Sequence, residues 1–169
     1  MTAETTDSGT TESGTTESAA EESFDIGAFL TASVPMVGTL GLEYAETTPE
    51  RAVLRFADQP EYRNHIGGPH AGAMFTLAES ASGAVVVAAF GHLIAKATPL
   101  PTTATIDFKK VARGDITATA EIGRPVADII AELDAGGRPE FPITVRITRD
   151  NDGAVTGEMR IVWMLRPNG

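Results

Sequence analysis

The sequence predicts an α+β protein in which an antiparallel sheet surrounds one long buried helix. Six segments with strand character occur as three successive pairs, and helical segments precede or separate these pairs. The central helical segment, residues 71–90, contains a single charged residue, Glu79, in a run of small and apolar residues. A helix without a polar side is buried on all sides, and strands joined by short turns form an antiparallel sheet. The simplest arrangement is a sheet that curves around this helix.

Residues 1–23 are predicted to form a disordered acidic tail, and residues 24–169 the folded domain. The tail has no aromatic, branched aliphatic or basic residue, and it holds six of the 23 acidic residues of the chain. A segment of this composition cannot bury enough apolar surface to offset the entropy lost on ordering. Much of the net charge of −10 belongs to the tail, since the domain has 17 acidic against 13 basic residues.

The composition excludes several classes of function. A chain of 169 residues without cysteine has no disulfide framework, no cysteine nucleophile and no cysteine-based zinc site, and its three histidines lack zinc-ligand spacing. Its acidity argues against nonspecific nucleic-acid binding, and the N-terminus lacks the basic and apolar regions of a signal peptide. We expect a soluble cytoplasmic protein that uses no metal or other cofactor and binds neither nucleic acid nor membrane.

The first elements are a short helix and a hairpin. Apolar residues at helical spacing predict a helix over Ile26–Ser33, with Asp25 as its N-cap and Pro35 as its end. Residues 42–47 and 51–56 have strand character, and the Thr-Pro-Glu turn between them predicts a hairpin.

The central helix is predicted to follow Gly68, with Pro69 at its first position and Gly91 at its end. About 20 apolar residues are also long enough to cross a membrane. The segment is richer in Ala, Gly and Ser than in Leu and Ile, and a carboxylate in mid-span is costly in lipid. A buried core helix is therefore the better interpretation.

The second half of the domain repeats the pattern of paired strands. Residues 102–111 and 115–122 predict one pair, after a loop that contains Pro99 and Pro101. A short helix and a last hairpin complete the domain, at Val126–Leu133, 141–148 and 154–165.

A single sheet cannot cover every side of the central helix. The uncovered side offers no polar surface to water, so it must pack against something else. A second copy of the chain, related by a two-fold axis, is the simplest source of that cover. The sequence therefore favours a homodimer, or a tetramer built from such dimers.

Glu79 is the first candidate functional residue. An unpaired buried charge is costly, so this carboxyl group is protonated, partnered, or directed into a cavity. A carboxylate in an apolar pocket is prepared to act as a general base or nucleophile. In the structural alternative, Glu79 accepts hydrogen bonds from Ser80, Ser82 or a threonine and has no chemical role.

The start of the central helix is the second candidate site. The N–H groups of a first helical turn have no partner within the helix and carry partial positive charge, so they can stabilise an oxyanion. Gly72 would allow a ligand to approach them closely. His70 is either a hydrogen-bond donor to a ligand or a capping or core histidine.

The spacing of His70 and Glu79 connects the two candidate sites. Nine residues on one helix correspond to about 900° of rotation and about 13.5 Å of rise. The two side chains therefore point apart and cannot contact one substrate from the same helix. They can share a site if Glu79 comes from an antiparallel partner helix, in which case a dimer contains two equivalent sites.

Residues 64–83, NHIGGPHAGAMFTLAESASG, resemble the hotdog-fold thioesterases. The similarity is greatest to a branch of uncharacterised, DUF4442-type proteins near the PaaI-like enzymes, and it extends over about residues 38–167. In that pattern, Asn64, His70 and Glu79 have the family's spacing. The resemblance implies a hotdog fold, dimers or dimers of dimers, and hydrolysis of acyl-CoA or acyl-carrier thioesters.

The resemblance also implies roles for the residues that match the motif. The Ala71 N–H, with Gly72 beside it, would bind the thioester oxygen. Glu79 of the other subunit would activate water or attack the carbonyl carbon. Asn64 and His70 would position the substrate or the water.

Further substrate contacts are implied on the strand after the helix. A hydroxyl often assists catalysis there, and Thr102 or Thr103 is the nearest match in this sequence. Lys109, Lys110 and Arg113 would suit the phosphates of coenzyme A.

Three departures from the family pattern keep other functions open. Ala71 stands where the family has glycine, Glu79 replaces the commoner aspartate, and the Gly67-Gly68-Pro69 run is unusual. A noncatalytic acyl-binding protein of the same fold is therefore the alternative to a hydrolase. A hotdog dehydratase, which also uses a histidine and a carboxylate near a helix start, is a third and weaker interpretation.

Overall fold

The computed structural model describes residues 24–169, and the predicted tail, residues 1–23, lies outside the described residues. Four α-helices and six β-strands form the described part of the chain. Their bounds are α1 Ile26–Ser33, α2 Pro35–Leu40, β1 Glu43–Thr47, β2 Arg51–Phe56, α3 Ala71–Phe90, β3 Ala97–Phe108, β4 Ile116–Ile122, α4 Val126–Asp134, β5 Glu140–Arg149 and β6 Val155–Pro167.

The six strands form one antiparallel sheet, which confirms the predicted α+β class. Its order is β1-β2-β4-β5-β6-β3, and every neighbouring pair is antiparallel. Strand residues alternate between the two faces of the sheet. The face towards α3 is apolar and buried, as Leu54, Ala118 and Ile147 show at one level of the ladder. The opposite face carries polar and charged residues such as Arg55 and Thr117.

The N-terminal segment contains one helix more than the sequence predicts. α1 has the predicted bounds, and the Asp25 carboxylate caps it by accepting a hydrogen bond from the Ala28 N–H at 2.9 Å. Pro35, expected only to end this helix, occupies the first turn of α2. Proline is favoured there, because the N–H that it lacks would have no partner in a first helical turn.

Strand β3 is displaced along the chain from its predicted position. The prediction placed Pro99 and Pro101 in a loop, whereas both lie within β3 and pair with Leu165 and Trp163 of β6. β3 is an edge strand, and edge strands tolerate proline where the missing N–H would face outward. The strand ends at Phe108, three residues earlier than predicted.

Helix α3 spans Ala71–Phe90 as predicted, but one of its sides is only partly buried. Its buried residues face β2, β4 and β5, the strands that it contacts most closely. The other side is partly open to solvent within one protomer, and Phe75 is 36% exposed there. Its remaining members are mostly small or polar: Gly72, Thr76, Glu79 and Gly83. We call this side the open face of α3.

The sheet extends beyond the helix on the β3 side. Ala104 and Ile106 pair with the buried Ile161 and Met159 of β6, so they point to the helix side of the sheet. Nevertheless Ala104 is exposed and Ile106 is only half-buried. The helix-side surface of β3 is thus left uncovered next to the open face of α3.

α3 has the length and hydropathy of a membrane span. Most of it is nevertheless packed against the sheet, as expected for the core helix of a soluble α+β fold.

Candidate active site at the start of the central helix

The segment before α3 is held in place by hydrogen bonds within it and by one to Asp115, the residue before β4. The Arg63 guanidinium donates two hydrogen bonds to the Asp58 carboxylate, at 2.9 and 2.7 Å. The Asp58 N–H donates to the Asp115 carboxylate at 2.9 Å. The His70 N–H donates to the Tyr62 carbonyl at 2.7 Å. The loop that leads into the helix is therefore fixed before any ligand binds.

Asn64 organises this loop through its side chain. Its Oδ1 accepts hydrogen bonds from the N–H groups of Ile66 and Gly68, at 3.0 and 3.1 Å. Its Nδ2 donates to the Pro69 carbonyl at 3.1 Å. An asparagine that bonds to its own following backbone is a typical turn former. The geometry therefore explains Asn64 as a residue that shapes the approach to α3, and a direct contact with substrate stays a prediction.

The two glycines of this loop have different reasons to be glycine. Gly67 has a φ of 77°, a left-handed conformation that L-residues rarely adopt. Gly68 lies against the loop between β3 and β4, where an added Cβ would overlap the Ala112 carbonyl oxygen. The close contact at Gly68 holds the loop before α3 against the loop between β3 and β4, and these two loops are opposite walls of the candidate site.

Replacement of Gly68 by alanine is expected to lower the free energy of unfolding by about 1–3 kcal/mol, because the methyl group has no space beside the backbone of Ala112. Gly38→Ala is the matched control. A Cβ at Gly38 within α2 meets its nearest atom at 3.5 Å, so this variant should be as stable as wild type or more so. Denaturant unfolding measures both, and equal midpoints for the two variants would contradict the close contact.

His70 is the N-cap of α3, as the capping alternative predicts, and its role in positioning substrate or water stays a prediction. Its Nδ1 accepts a hydrogen bond from the Gly72 N–H at 2.9 Å. Pro69, expected at the first helical position, therefore lies one residue before the cap. A Cβ at Gly72 would lie 3.2 Å from His70 Nδ1, so the absence of a side chain makes room for the imidazole. Close approach of a ligand at Gly72 stays a prediction.

The Ala71 N–H is a free donor of the first turn. Within residues 24–169 it makes no hydrogen bond, whereas the Gly72 N–H is already engaged by His70. Ala71 lines a pocket of about 470 Å³ between the start of α3 and the end of β3. The other lining residues include Asn64, Met74 and Phe108. An oxyanion in this pocket could accept a hydrogen bond from the Ala71 N–H at the positive end of the helix dipole.

The predicted phosphate-binding residues differ in their surroundings. Lys109 and Lys110 both line the pocket, and Arg113 follows nearby in the loop after β3. Lys109 is paired with Asp107 and Glu158, each at 3.4 Å, and these acids raise its pKa. Lys110 and Arg113 have no ion pair among the residues that the structure describes. They are therefore the freer cations at this opening.

Glu79 lies on the open face of α3 and not at the pocket. Its side chain makes no hydrogen bond and no ion pair within the described residues, and burial raises its pKa above the usual value for glutamate. The predicted structural alternative had Ser82 donating to this carboxylate. Ser82 instead donates to the Glu79 backbone carbonyl at 2.7 Å, and it accepts a hydrogen bond from the Trp163 indole at 3.1 Å. The Glu79 carboxylate is thus left for another partner.

Neither predicted threonine hydroxyl reaches the pocket within one protomer. Thr102 lies at an irregularity in β3 and donates to the Val162 carbonyl at 3.2 Å. Thr103 pairs with Val162, on the face of the sheet turned away from α3. Their assistance in catalysis stays a prediction.

No group of three His, Asp or Glu side chains that could hold a metal ion occurs in residues 24–169.

Two residues near Glu79 were missed in the sequence analysis. Trp163, the only tryptophan of the chain, fixes the turn of α3 that carries Glu79 through its bond to Ser82. Tyr44 places a buried hydroxyl near Glu79. A lone tryptophan in a predicted buried strand is a recognisable signal. Nothing in the sequence around Tyr44 reveals which face of the sheet it occupies.

Comparison with known proteins agrees with the architecture. The family model DUF4442, a domain of unknown function, matches residues 25–165. A Pseudomonas aeruginosa structure, described as a protein of unknown function and probable thioesterase, has a TM-score of 0.76 at 27% identity and covers 85% of this chain and 94% of its own. No curated protein matches the chain.

Two further structures share the fold at lower identity. A candidate thioesterase from Shewanella oneidensis has a TM-score of 0.71 at 12% identity, covering 84% of this chain and 95% of its own. A mutant of a thioesterase enzyme from Staphylococcus aureus has a TM-score of 0.64 at 20% identity, covering 79% and 100% respectively. Together with the sheet that surrounds α3, these similarities confirm the predicted hotdog fold.

Proposed function

The chain belongs to the DUF4442 family, a branch of the hotdog thioesterase superfamily, and on that basis we propose that it hydrolyses acyl-CoA or acyl-carrier thioesters. One observation carries the proposal. The free Ala71 N–H and the unpaired Glu79 carboxylate are the two groups that such a reaction needs, and they lie on one helix about 12 Å apart along its axis.

A two-fold dimer would bring these groups together. The open face of α3 and the uncovered helix side of β3 adjoin each other, and each needs cover. If two copies meet through β3, the partner's α3 lies antiparallel over that uncovered surface. β3 is 12 residues long and has a free edge, which is suited to pairing with a second copy of itself. Glu79 of each copy would then complete the pocket of the other.

The proposed reaction follows from this arrangement. The thioester carbonyl oxygen accepts a hydrogen bond from the Ala71 N–H of one subunit. The Glu79 carboxylate of the other subunit takes a proton from water as the water oxygen attacks the carbonyl carbon. Negative charge develops on the carbonyl oxygen, where the amide stabilises it. The C–S bond then breaks, and the leaving thiolate receives the proton from Glu79.

Lys110 is proposed to bind a phosphate of the coenzyme A moiety. Lys110→Ala should raise KM for acyl-CoA by about three- to tenfold with little change in kcat. A charge-assisted contact far from the reacting carbon stabilises the bound substrate and the transition state equally. Lys109→Ala is the matched control, since two carboxylates already neutralise Lys109. Acyl-pantetheine substrates lack the nucleotide phosphates and should be unaffected. Equal effects on the two substrates would contradict the assignment.

A panel of short, aromatic and long acyl-CoA thioesters tests the proposed activity. Release of free thiol, measured with a chromogenic disulfide, should exceed the spontaneous rate and scale with protein concentration for at least one substrate. Thermal unfolding is measured in parallel, because any bound ligand stabilises the folded protein. Stabilisation by acyl-CoA without thiol release would contradict hydrolysis and support the noncatalytic acyl-binding alternative.

A further inference from the structure

Tyr44 faces the central helix from strand β1. It is paired with Leu54, and residues opposite each other in an antiparallel ladder share a face of the sheet. Leu54 is fully buried on the side of α3. An irregularity in β1 between Tyr44 and Glu46 places Glu46 opposite Val53 and away from the helix. Tyr44 is therefore directed towards α3.

The ring of Tyr44 lies against α1 at a glycine. A Cβ at Gly27 would be 3.0 Å from both Cβ and Cγ of Tyr44, which is closer than such atoms normally approach. Gly27 thus allows the ring to pack onto the helix backbone. This contact restricts where the phenol hydroxyl can lie.

The Tyr44 hydroxyl has no hydrogen-bond partner in the structure. Among residues 24–169 it is the only fully buried side-chain polar atom that lacks a hydrogen-bond partner. Buried polar groups in proteins almost always have a partner, so an exception requires an explanation. Burial and the charge of Glu79 together raise the pKa of Tyr44 to about 12, so the hydroxyl keeps its proton at neutral pH and lies within electrostatic reach of that carboxylate.

Glu79 shows the complementary deficiency, because its carboxylate accepts no hydrogen bond within the described residues. An unpaired donor and an unpaired acceptor thus lie in one region. We infer that Tyr44 is a positioning residue for Glu79: its hydroxyl donates a hydrogen bond to the carboxylate through one bridging water. This inference deepens the proposed function, on which its catalytic meaning rests.

Among residues 24–169, no other titratable side chain faces Glu79 from the elements packed against α3. The helix-side residues of β2, β4 and β5 are apolar, and α1 and α2 contain no charged residue. Asp25 lies at the exposed start of α1, and Glu43 pairs with Arg55 on the outer side of the sheet. His92 follows the far end of α3, about 20 Å along the axis from Glu79.

A hydrogen bond from Tyr44 would change the pKa of Glu79 in a definite direction. A hydrogen bond donated to the charged form of a carboxyl group lowers its pKa, whereas burial raises it. Tyr44 therefore offsets part of the effect of burial and keeps Glu79 ionised, and able to accept a proton, to lower pH. It also restricts the rotamers of the glutamate side chain, which is one methylene longer than that of aspartate.

The test is a titration of Glu79 by ¹³C NMR in protein labelled at glutamate side-chain carboxyls, with Glu79→Gln used to identify the resonance. Tyr44→Phe should raise the pKa of Glu79 by about one unit, and shift the acid limb of kcat/KM upward by the same amount. Tyr62→Phe is the matched control. Tyr62 is the only other tyrosine, and its hydroxyl donates to the Thr39 carbonyl at 2.9 Å.

Gly27→Ala provides a second variant that keeps the hydroxyl but displaces the ring, and it should shift the pKa in the same direction as Tyr44→Phe. An unchanged or lowered Glu79 pKa in Tyr44→Phe would overturn the inference. Because the titration needs no substrate, a raised pKa in a protein that hydrolyses no thioester would preserve the pairing and reject only the proposed function. Hydrolysis that depends on Glu79, with no shift in Tyr44→Phe, would reject only the pairing.

Discussion

Replacement of Glu79 by glutamine is expected to lower kcat/KM for thioester hydrolysis by about 10²–10⁴-fold, because the amide has nearly the same shape but cannot accept a proton. In the wild type, kcat/KM should fall as pH decreases through the pKa of Glu79. Burial raises that pKa, so the decline should begin at higher pH than for an exposed glutamate. Free-thiol release across the pH range measures both effects.

The same substitution should stabilise the fold at neutral pH. Because burial raises the pKa of Glu79, the folded state disfavours the ionised form that predominates above this pKa. Glutamine removes that cost. The gain should disappear as pH falls through the raised pKa and below the ordinary glutamate value of about 4.3, where the carboxyl is neutral in both states. Activity retained at the wild-type level would contradict the base role, and lower stability at neutral pH would contradict the burial of an unpaired charge.

Replacement of Ala71 by proline is expected to lower kcat by about 10²–10³-fold, because it removes one amide that binds the oxyanion. The substitution suits the local backbone. Proline is favoured at a first helical position, and His70 before it already has the extended conformation, φ −63° and ψ 142°, that a following proline requires. The helix start should therefore persist, which thermal unfolding can verify.

Ala71→Ser is the matched control for this variant. It alters the side chain at the same position and keeps the N–H group, so its activity should remain within a few-fold of wild type. If proline and serine reduce activity equally, the side-chain volume at Ala71 matters and the amide does not.

The long helix was the most predictable element of the sequence. Its bounds follow from a run of small and apolar residues that ends at Gly91, and no tertiary information is needed to find them. The strand pairs β1–β2 and β5–β6 were similarly evident from their turns. β3 was misplaced because Pro99 and Pro101 indicate a loop in most settings, and only its position at the sheet edge makes them acceptable.

The candidate site was less predictable than the fold, because its residues are defined by hydrogen bonds that spacing does not show. The sequence placed His70 and Gly72 at the helix start. It could not show that the imidazole would engage the Gly72 N–H and leave the Ala71 N–H free. Tyr44 was not recognisable either, since a local irregularity in β1 determines which residues of that strand face the helix.

A heterodimer of two inactive chains tests most directly whether the site is shared between subunits. Chains carrying Glu79→Gln and Ala71→Pro are given different affinity tags, coexpressed, and purified as the mixed species. If Glu79 of one copy acts at the Ala71 amide of the other, one site of the heterodimer is wild type and the second carries both substitutions. The expected result is about half of the wild-type activity, with both parent homodimers nearly inactive. A heterodimer no more active than the mean of those homodimers would contradict it.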